Sequence, residues 1–220
     1  MAHVRKLEIG HSMDMSVAET ATVTGVSARK INRMIDDGLM PGSSFKKVGR
    51  NRFVKAFAAP LVRFGAGDGA ILSKDARLEA MKSVAKYTKA NWGRLIADPT
   101  MAHGFRFESG VVSVALGEIV TSTMVSLGNL AEAQRRVVVD ADVRGGIPTL
   151  RGTRIGVYEL TSTLATDGID SVLEDYPVLT REDVEAAEIY AQAHPRMGRP
   201  RTDRAGILTA EHPVDLKVSN

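Results

Sequence analysis

The sequence contains no cysteine, no apolar N-terminal segment and no long apolar run, and each absence excludes a class of protein. Without cysteine the chain has no disulfide framework, no thiolate nucleophile and no cysteine-based metal site, so a reducing cytoplasm is the expected location. Residues 1–11 are polar and charged, so no secretory signal is predicted. No apolar run approaches the ~20 residues of a membrane-spanning helix, so we expect no membrane partner.

What the chain does have is an uneven distribution of charge over 220 residues with a net charge of only +3. Residues 16–64 contain nine basic and three acidic side chains, a formal charge of +6. Residues 137–194 contain four basic and eleven acidic side chains, a formal charge of −7, and the last 25 residues return to +2. A cationic segment of this kind indicates a surface for a polyanion such as nucleic acid.

Residues 16–37 have the pattern of two short helices joined by a tight turn. Ser16 and Ser27 stand where each helix begins, and a serine hydroxyl at that position caps the first turn. Gly25 precedes the second helix and permits a backbone with positive φ. The inward-facing apolar residues are Val17, Ala21, Val23, Ile31, Met34 and Ile35. The segment therefore predicts a helix-turn-helix.

A basic β-hairpin is predicted next, over residues 43–57, with its turn at residues 49–51. Residues 16–64 as a whole resemble the MerR-like winged helix-turn-helix, apart from Thr20, where an aliphatic residue is usual and whose hydroxyl is expected to weaken helix packing. The resemblance implies that the second helix reads the major groove and the hairpin holds the DNA backbone. The residues assigned to DNA binding are Ser27, Arg29, Lys30, Asn32, Arg33, Lys46, Lys47, Arg50 and Arg52. The alternative is a small helical hairpin with a solvated basic face.

Residues 65–136 are predicted to be a linker followed by a mixed α/β segment. Residues 65–72 are rich in glycine and are assigned to the linker. In the segment over residues 73–136 we expect a helix from Ser73 to about residue 91, two strands within 105–116, and separate helices over 118–127 and 130–136. This segment is a candidate for dimerisation. His103 has no second ligand at metal-binding spacing, so no metal site is predicted.

Residues 137–195 contain the most specific pattern in the chain. The residues that carry it are Asp140, Gly146, Pro148, Arg151-Gly152-Thr153-Arg154, Val157, Gly168, Tyr176-Pro177, Leu179-Thr180 and Val184. In this pattern the segment resembles the DUF433 family of domains of unknown function, which occurs in VapB-like antitoxins. The resemblance implies a compact trihelical, helix-turn-helix-like domain that is often dimeric and is partnered with a PIN-like ribonuclease toxin.

The residues of this segment support three helices independently. The first is expected to end at Gly168, the second to begin at Asp170, and the third to begin at a capping box formed by Thr180 and Asp183. The acids expected to face outward on the third helix are Glu182, Asp183, Glu185 and Glu188. The negative charge of these side chains repels DNA phosphates, so we assign the trihelical domain to association with protein. Arg151 and Arg154 are interpreted as turn residues that pair with acids, and phosphate binding is the alternative.

Residues 196–220 are basic and lack an apolar period, so they are predicted to be disordered in isolation. The family resemblance implies that such a tail wraps a toxin and that arginines pair with its metal-binding carboxylates. The residues assigned to toxin binding are Arg196, Arg199, Arg201 and Arg204. The alternative is a solvated end without a role.

Taken together, these patterns predict a mostly α chain with short β-hairpins (α+β), built from an N-terminal winged helix-turn-helix and a C-terminal trihelical domain. The predicted function is that of a homodimeric, non-enzymatic type II antitoxin without a cofactor, which neutralises a PIN-like ribonuclease and represses its own operon at an operator DNA. A first alternative is a stand-alone MerR-like regulator that senses a small molecule between residues 73 and 136. A nuclease is a second alternative, although no acids show metal-binding spacing.

Overall fold

The computed structural model describes residues 10, 13–109 and 112–196, which form a mostly helical fold with three small antiparallel sheets. The prediction of a mostly helical α+β chain is therefore confirmed. None of the described helices combines the length and the apolar content that crossing a lipid bilayer requires.

The N-terminal sheet has three strands, in the order β1-β3-β2. The strands are β1 (Asp14–Ser16), β2 (Phe45–Val48) and β3 (Asn51–Lys55). β2 and β3 form the predicted hairpin, with Val48 opposite Asn51 at its end. β1 was not predicted, and it pairs with β3 so that buried Met15 lies opposite buried Val54. The hairpin is thus anchored on the segment that leads into the first helix.

The first two helices, α1 (Val17–Thr24) and α2 (Ala28–Asp36), begin and end where the sequence predicts. Ser16 and Glu19 form a capping box, and the Ser27 hydroxyl accepts a hydrogen bond from the Lys30 amide at 3.4 Å. Gly25 ends α1 with a φ of 68°, a left-handed conformation that favours glycine. These local signals determine the angle at which the chain enters α2.

Thr20, the departure from the resemblance, is fully buried in α1. Its hydroxyl donates to the Ser16 carbonyl at 2.8 Å, so its polar atom keeps a partner inside the core. Thr20 therefore leaves no unsatisfied polar group in the core, which removes one reason to expect weaker packing of α1.

α3 (Ala59–Ala66) is the central helix of the larger core and packs against α1, α2 and two later helices, α4 (Lys74–Ala90) and α6 (Gly117–Arg136). The predicted linker, residues 65–72, contains the end of α3 and a 3-10 turn rather than an extended joint. Gly69 is buried there, and a Cβ atom at this position would come within 2.9 Å of the Phe64 ring. The glycines of this stretch thus permit close packing.

α6 is one continuous helix, so the prediction of two helices over 118–127 and 130–136 is wrong. Gly128 lies between the two predicted helices, but Met124, Leu127 and Leu130 on either side of it are buried in the same core. A straight helix keeps all three on one face, and this burial outweighs the small helix propensity lost at one glycine. The remaining elements of this region are α5 (Trp92–Ala97), β4 (Arg106–Ser109) and β5 (Val112–Ala115).

The C-terminal elements form a second, smaller core around Leu150, Val157, Leu160, Val172 and Val184. They are β6 (Val137–Val138), β7 (Thr149–Leu150), α7 (Val157–Asp175) and α8 (Arg181–Ala193). The break predicted in the first of these helices is present, because Gly168 within α7 has φ 81° and ψ 170°. α8 also packs against α6 and α1, and Ala193 belongs to the larger core. The two cores are therefore in contact through α8.

Asp183 faces α6, which corrects its predicted outward position on α8. Its carboxylate accepts hydrogen bonds from the Thr180 amide at 3.0 Å and from the Arg136 guanidinium at 2.6 Å. Burial acts to raise the pKa of Asp183, but the Thr180 amide and the Arg136 guanidinium outweigh it, so the pKa lies below 3.8. The capping box of α8 is thus also the ion pair that ties α8 to the end of α6.

We expect Asp183→Asn to lower the free energy of unfolding by about 1.5–3 kcal/mol at neutral pH, because it removes charge-assisted hydrogen bonds. A depressed carboxylate pKa stabilises the folded state above the unfolded pKa, and that stability is lost as the pH falls through the folded pKa. The difference in the free energy of unfolding between Asp183→Asn and the parent should therefore become smaller below pH 3.8. Urea unfolding at pH 7 and at acidic pH measures it. Asp167→Asn is the control, since Asp167 is exposed and makes no hydrogen bond with the described residues; an equal loss there would contradict the assignment.

Candidate nucleic-acid interface

α2 presents three of the basic side chains that the sequence assigns to DNA: Arg29, Lys30 and Arg33. Arg29 and Arg33 are exposed, and their side chains make no hydrogen bond or ion pair within the part of the chain that the structure describes. Lys30 differs, since its ammonium group donates to the carbonyl of Ala66 at 2.6 Å. Ala66 is the last residue of α3, where a cation interacts favourably with the helix dipole. Arg29 and Arg33 are therefore the free cations of α2, and Lys30 ties α2 to α3.

Arg52 joins the hairpin to α2. Its guanidinium donates to both carboxylate oxygens of Asp36, at 2.8 and 2.9 Å, and to the side-chain oxygen of Asn32 at 2.9 Å. Lys47 lies 3.5 Å from the same Asp36 carboxylate. Because Nη2 bonds to Asp36 and Nη1 of the same planar guanidinium bonds to Asn32, the orientation of the hairpin relative to α2 is well defined. Arg52 and Asn32 are both assigned to DNA binding, and each uses one of its hydrogen-bonding groups to bond to the other.

A second acid, Asp14, neutralises the other side of the hairpin. Its carboxylate pairs with Lys46, another predicted DNA contact, and lies 2.5 Å from the ammonium group of Lys55. Hydrogen bonds from Lys46 and then from Lys55 lower the pKa of Asp14 below 3.8, so the carboxylate is ionised at neutral pH. Arg50, at the turn of the hairpin, is exposed and has no partner among the described residues. The free cations of the interface are thus Arg29, Arg33 and Arg50.

Asp14 and Asp36 belong to the interface although neither is among the residues that the sequence assigns to DNA. Asp14 stands outside the segment 16–64 whose charge was counted, and it enters only because β1 pairs with β3. The alternation of apolar Met13 and Met15 around Asp14 is a period-2 strand signal that indicates this pairing. With Asp14 included, residues 13–64 contain nine basic and four acidic side chains, a formal charge of +5.

A polar cluster holds α1 against the C-terminal elements. Gln134 of α6 donates to the Glu19 carboxylate at 2.7 Å, and the His194 ring nitrogen lies 3.7 Å from the same oxygen. The Tyr158 hydroxyl donates to the His194 carbonyl at 2.6 Å. Since Glu19 is also part of the cap of α1, the position of α1 depends on α6 and α8. Across the described residues, no group of three or more His, Asp or Glu side chains is arranged to hold a metal ion.

The other predicted contacts lie at the far end of the chain. The Arg196 guanidinium lies over the Tyr158 ring, 4.6 Å from its centroid, whereas Arg199, Arg201 and Arg204 lie outside the described residues. Arg151, expected to pair with an acid, instead donates to the Arg135 carbonyl at 2.9 Å. No ion pair of Arg151 or Arg154 is found with any residue that the structure describes. The turn at residues 151–154 is thus held by hydrogen bonds to backbone carbonyls and by the Thr153 hydroxyl, and not by ion pairs among the described residues.

Comparison with known proteins gives one domain match and one relative over most of the chain. Residues 137–191 match the model of a family described as "Protein of unknown function (DUF433)". Over 193 residues the chain is 31% identical to the uncharacterized protein y4eO of Sinorhizobium fredii (strain NBRC 101917 / NGR234). This alignment covers 85% of this chain and 84% of that protein. No solved structure matches.

Proposed function

We propose that this chain, which belongs to the same protein family as the uncharacterized protein y4eO, binds duplex DNA through α2 and the β2–β3 hairpin. The element order β1-α1-α2-β2-β3-α3 supports this proposal, in which the segment would act as a winged helix-turn-helix, α2 as the recognition helix and the hairpin as the wing. Arg29 and Arg33 would enter the major groove, and Arg50 would contact the phosphate backbone. The proposed role is regulation of transcription, with repression of its own operon as the simplest case.

The observation that carries the proposal is the Arg52 clamp. Arg52 bonds to Asn32 and Asp36 of α2, so the helix and the hairpin are held as one surface. Three arginines without partners among the described residues, Arg29, Arg33 and Arg50, stand on the two elements that the clamp joins. A preorganised basic surface binds a rigid duplex without the entropic cost of ordering its parts.

The acidic C-terminal unit supports a different role for residues 137–195. The α8 carboxylates of Glu182, Glu185 and Glu188 are exposed, and phosphates would be repelled there. We therefore assign this unit to association with protein, including a second copy of the chain.

A second candidate function is neutralisation of a PIN-like ribonuclease toxin, which the resemblance of residues 137–195 to antitoxin domains implies and for which the exposed Arg196, at the start of the basic tail, is suited. Co-expression with the product of the adjacent gene tests it, with co-purification as the expected result. Replacing Arg196, Arg199, Arg201 and Arg204 by glutamine should abolish that complex and leave DNA binding intact. Absence of any complex with the adjacent product would exclude this second function.

Binding of the protein to a fluorescent duplex from the region upstream of its own gene, followed by anisotropy as salt is raised, tests the first function. We expect Arg50→Gln to weaken binding to this duplex and to a scrambled duplex alike, by about 3- to 10-fold, because a phosphate contact carries no sequence information. The slope of log affinity against log salt should fall by about 1.

Arg94→Gln provides the matched control, since Arg94 is an exposed arginine of α5, outside the proposed interface. Its affinity and salt slope should equal those of the parent. No binding of the parent to either duplex at low salt would overturn the proposal, as would equal effects of the Arg50 and Arg94 variants.

A further inference from the structure

A cavity of about 410 Å³ lies beside the proposed recognition helix, between α2 and the start of α4. We call it the α2–α4 cavity; its lining includes Arg29, Lys30, Arg33 and Arg77. Its volume falls in the range of about 300–1,000 Å³ that is typical of small-molecule sites in proteins. It lies on the flank of α2 away from the Arg52 clamp, so the hairpin contributes nothing to it.

The charge of the α2–α4 cavity is of one sign. Four cationic side chains line it, and no acidic side chain is present among the described residues of its wall. This differs from the hairpin, where Asp14 and Asp36 pair with the nearby lysines and with Arg52. Like charges gathered around one space repel each other, and an anion in that space would relieve the repulsion.

Arg77 provides an observation independent of the charge count. Its terminal nitrogen Nη2 donates to the carbonyls of Ala70 at 3.0 Å and of Leu72 at 3.2 Å, which holds the guanidinium in place. Its Nε atom is buried and has no hydrogen-bond partner among the described residues. A buried donor without a partner is uncommon and costs free energy, so the contacts of Nη2 hold Arg77 on the cavity wall against that cost.

Apart from Ser27, the rest of the wall is apolar. Met34 and Leu39 come from α2 and the turn after it, and Ala66 and Ala70 come from the end of α3 and the following 3-10 turn. Such a wall favours a ligand with an apolar body over a bare, strongly hydrated ion. We infer that the α2–α4 cavity binds a small organic anion: an acidic group that the arginines hold, carried on an apolar ring or chain.

An anion bound in the α2–α4 cavity would regulate DNA binding, a role that rests on the proposed function. Arg29 and Arg33 line the cavity and are also the free cations assigned to the major groove. An anion that holds their guanidinium groups competes with DNA for them, so it should lower the affinity for the duplex. The ligand would act as an inducer without any change in the arrangement of the helices.

Calorimetric titration of the full chain with 1-naphthoate tests the binding, since this probe combines a carboxylate with an apolar double ring. We expect one site per chain with a dissociation constant below about 1 mM. The neutral 1-naphthalenemethanol and inorganic phosphate should each bind at least about 10-fold more weakly, because each lacks one half of the recognised chemistry. Equal binding of either one would overturn the inference.

Two variants localise the site. Ala70→Trp adds a ring to an exposed position on the cavity wall and should lower naphthoate affinity at least about 10-fold by filling the space. Ala97→Trp is the matched control on α5, also exposed, and should bind as the parent does. Arg77→Met should also lower the affinity at least about 10-fold. Parental affinity in Ala70→Trp would overturn the site whether or not Arg77→Met folds.

Duplex binding in the presence of saturating 1-naphthoate separates the two proposals. The expected result is weaker duplex binding in the parent and no effect in Ala70→Trp. Naphthoate binding without any duplex binding would overturn the proposed function and leave the cavity assignment standing. Duplex binding without naphthoate binding would overturn the cavity assignment alone.

Discussion

Replacing Phe64 by alanine is expected to lower the free energy of unfolding by about 3–5 kcal/mol, the largest stability effect of a single substitution proposed for this chain. Phe64 is fully buried in α3, with Leu61 and Val62 of the same helix also inaccessible to solvent. The Gly69 backbone packs against its ring, so the segment after α3 is shaped around this side chain. Removing the ring leaves a cavity, because α3 is held by helices on several sides and cannot close around the vacated volume.

Urea or thermal unfolding followed by circular dichroism measures the loss. Phe53→Ala is the matched control, because it removes the same atoms from a half-buried position on β3. The loss there should be about 1–2 kcal/mol, in proportion to the smaller apolar area withdrawn from water. Equal losses in the two variants would contradict the central role assigned to α3.

The second large effect is on DNA affinity. The double variant Arg29→Gln/Arg33→Gln should bind its duplex about 100-fold more weakly than the parent, because each arginine contributes about 1–3 kcal/mol where it meets a base edge. If both side chains also neutralise phosphates, the slope of log affinity against log salt should fall by about 2. Anisotropy titrations at several salt concentrations measure both quantities, and a circular dichroism spectrum identical to that of the parent confirms that the double variant is folded.

The control for this prediction is a variant that removes a negative charge from the interface, whereas the double variant removes two positive charges. Asp36→Asn keeps one oxygen acceptor for Arg52 but removes the negative charge that now lies between Arg52 and Lys47. Its affinity for any duplex should rise, by about 3-fold at low salt, and the rise should disappear at high salt. A fall in affinity would mean that the Arg52 clamp matters more than the charge it neutralises.

The local features of the site are predictable from sequence because they depend on neighbouring residues. A capping serine acts within one turn, as Ser16 does for α1, and a glycine such as Gly25 admits the backbone angle of the turn itself. The capping box of Thr180 and Asp183 follows the same rule. In each case the interacting atoms are three or four residues apart, so the spacing along the chain reports their contact.

Contacts between residues that are far apart in the sequence cannot be predicted from spacing along the chain. Asp14 and Lys55 are 41 residues apart and meet only because β1 joins the sheet beside β3. The continuity of α6 through Gly128 depends likewise on one core that accepts side chains from both sides of it. Local propensity favoured a break there, and burial of a continuous apolar face decided against it.

The sequence by itself determined that residues 16–64 are basic, that two helices and a hairpin follow one another there, and that residues 137–191 are acidic and belong to a recognisable domain type. Only the tertiary structure decided which cations remain free, because Asp14 and Asp36 reach the lysines and Arg52 through the sheet and the clamp. It also brought Arg77 beside α2 and so created the α2–α4 cavity. Composition sets the charge of a segment, but the pairing of charges depends on distances that exist only after the chain has folded.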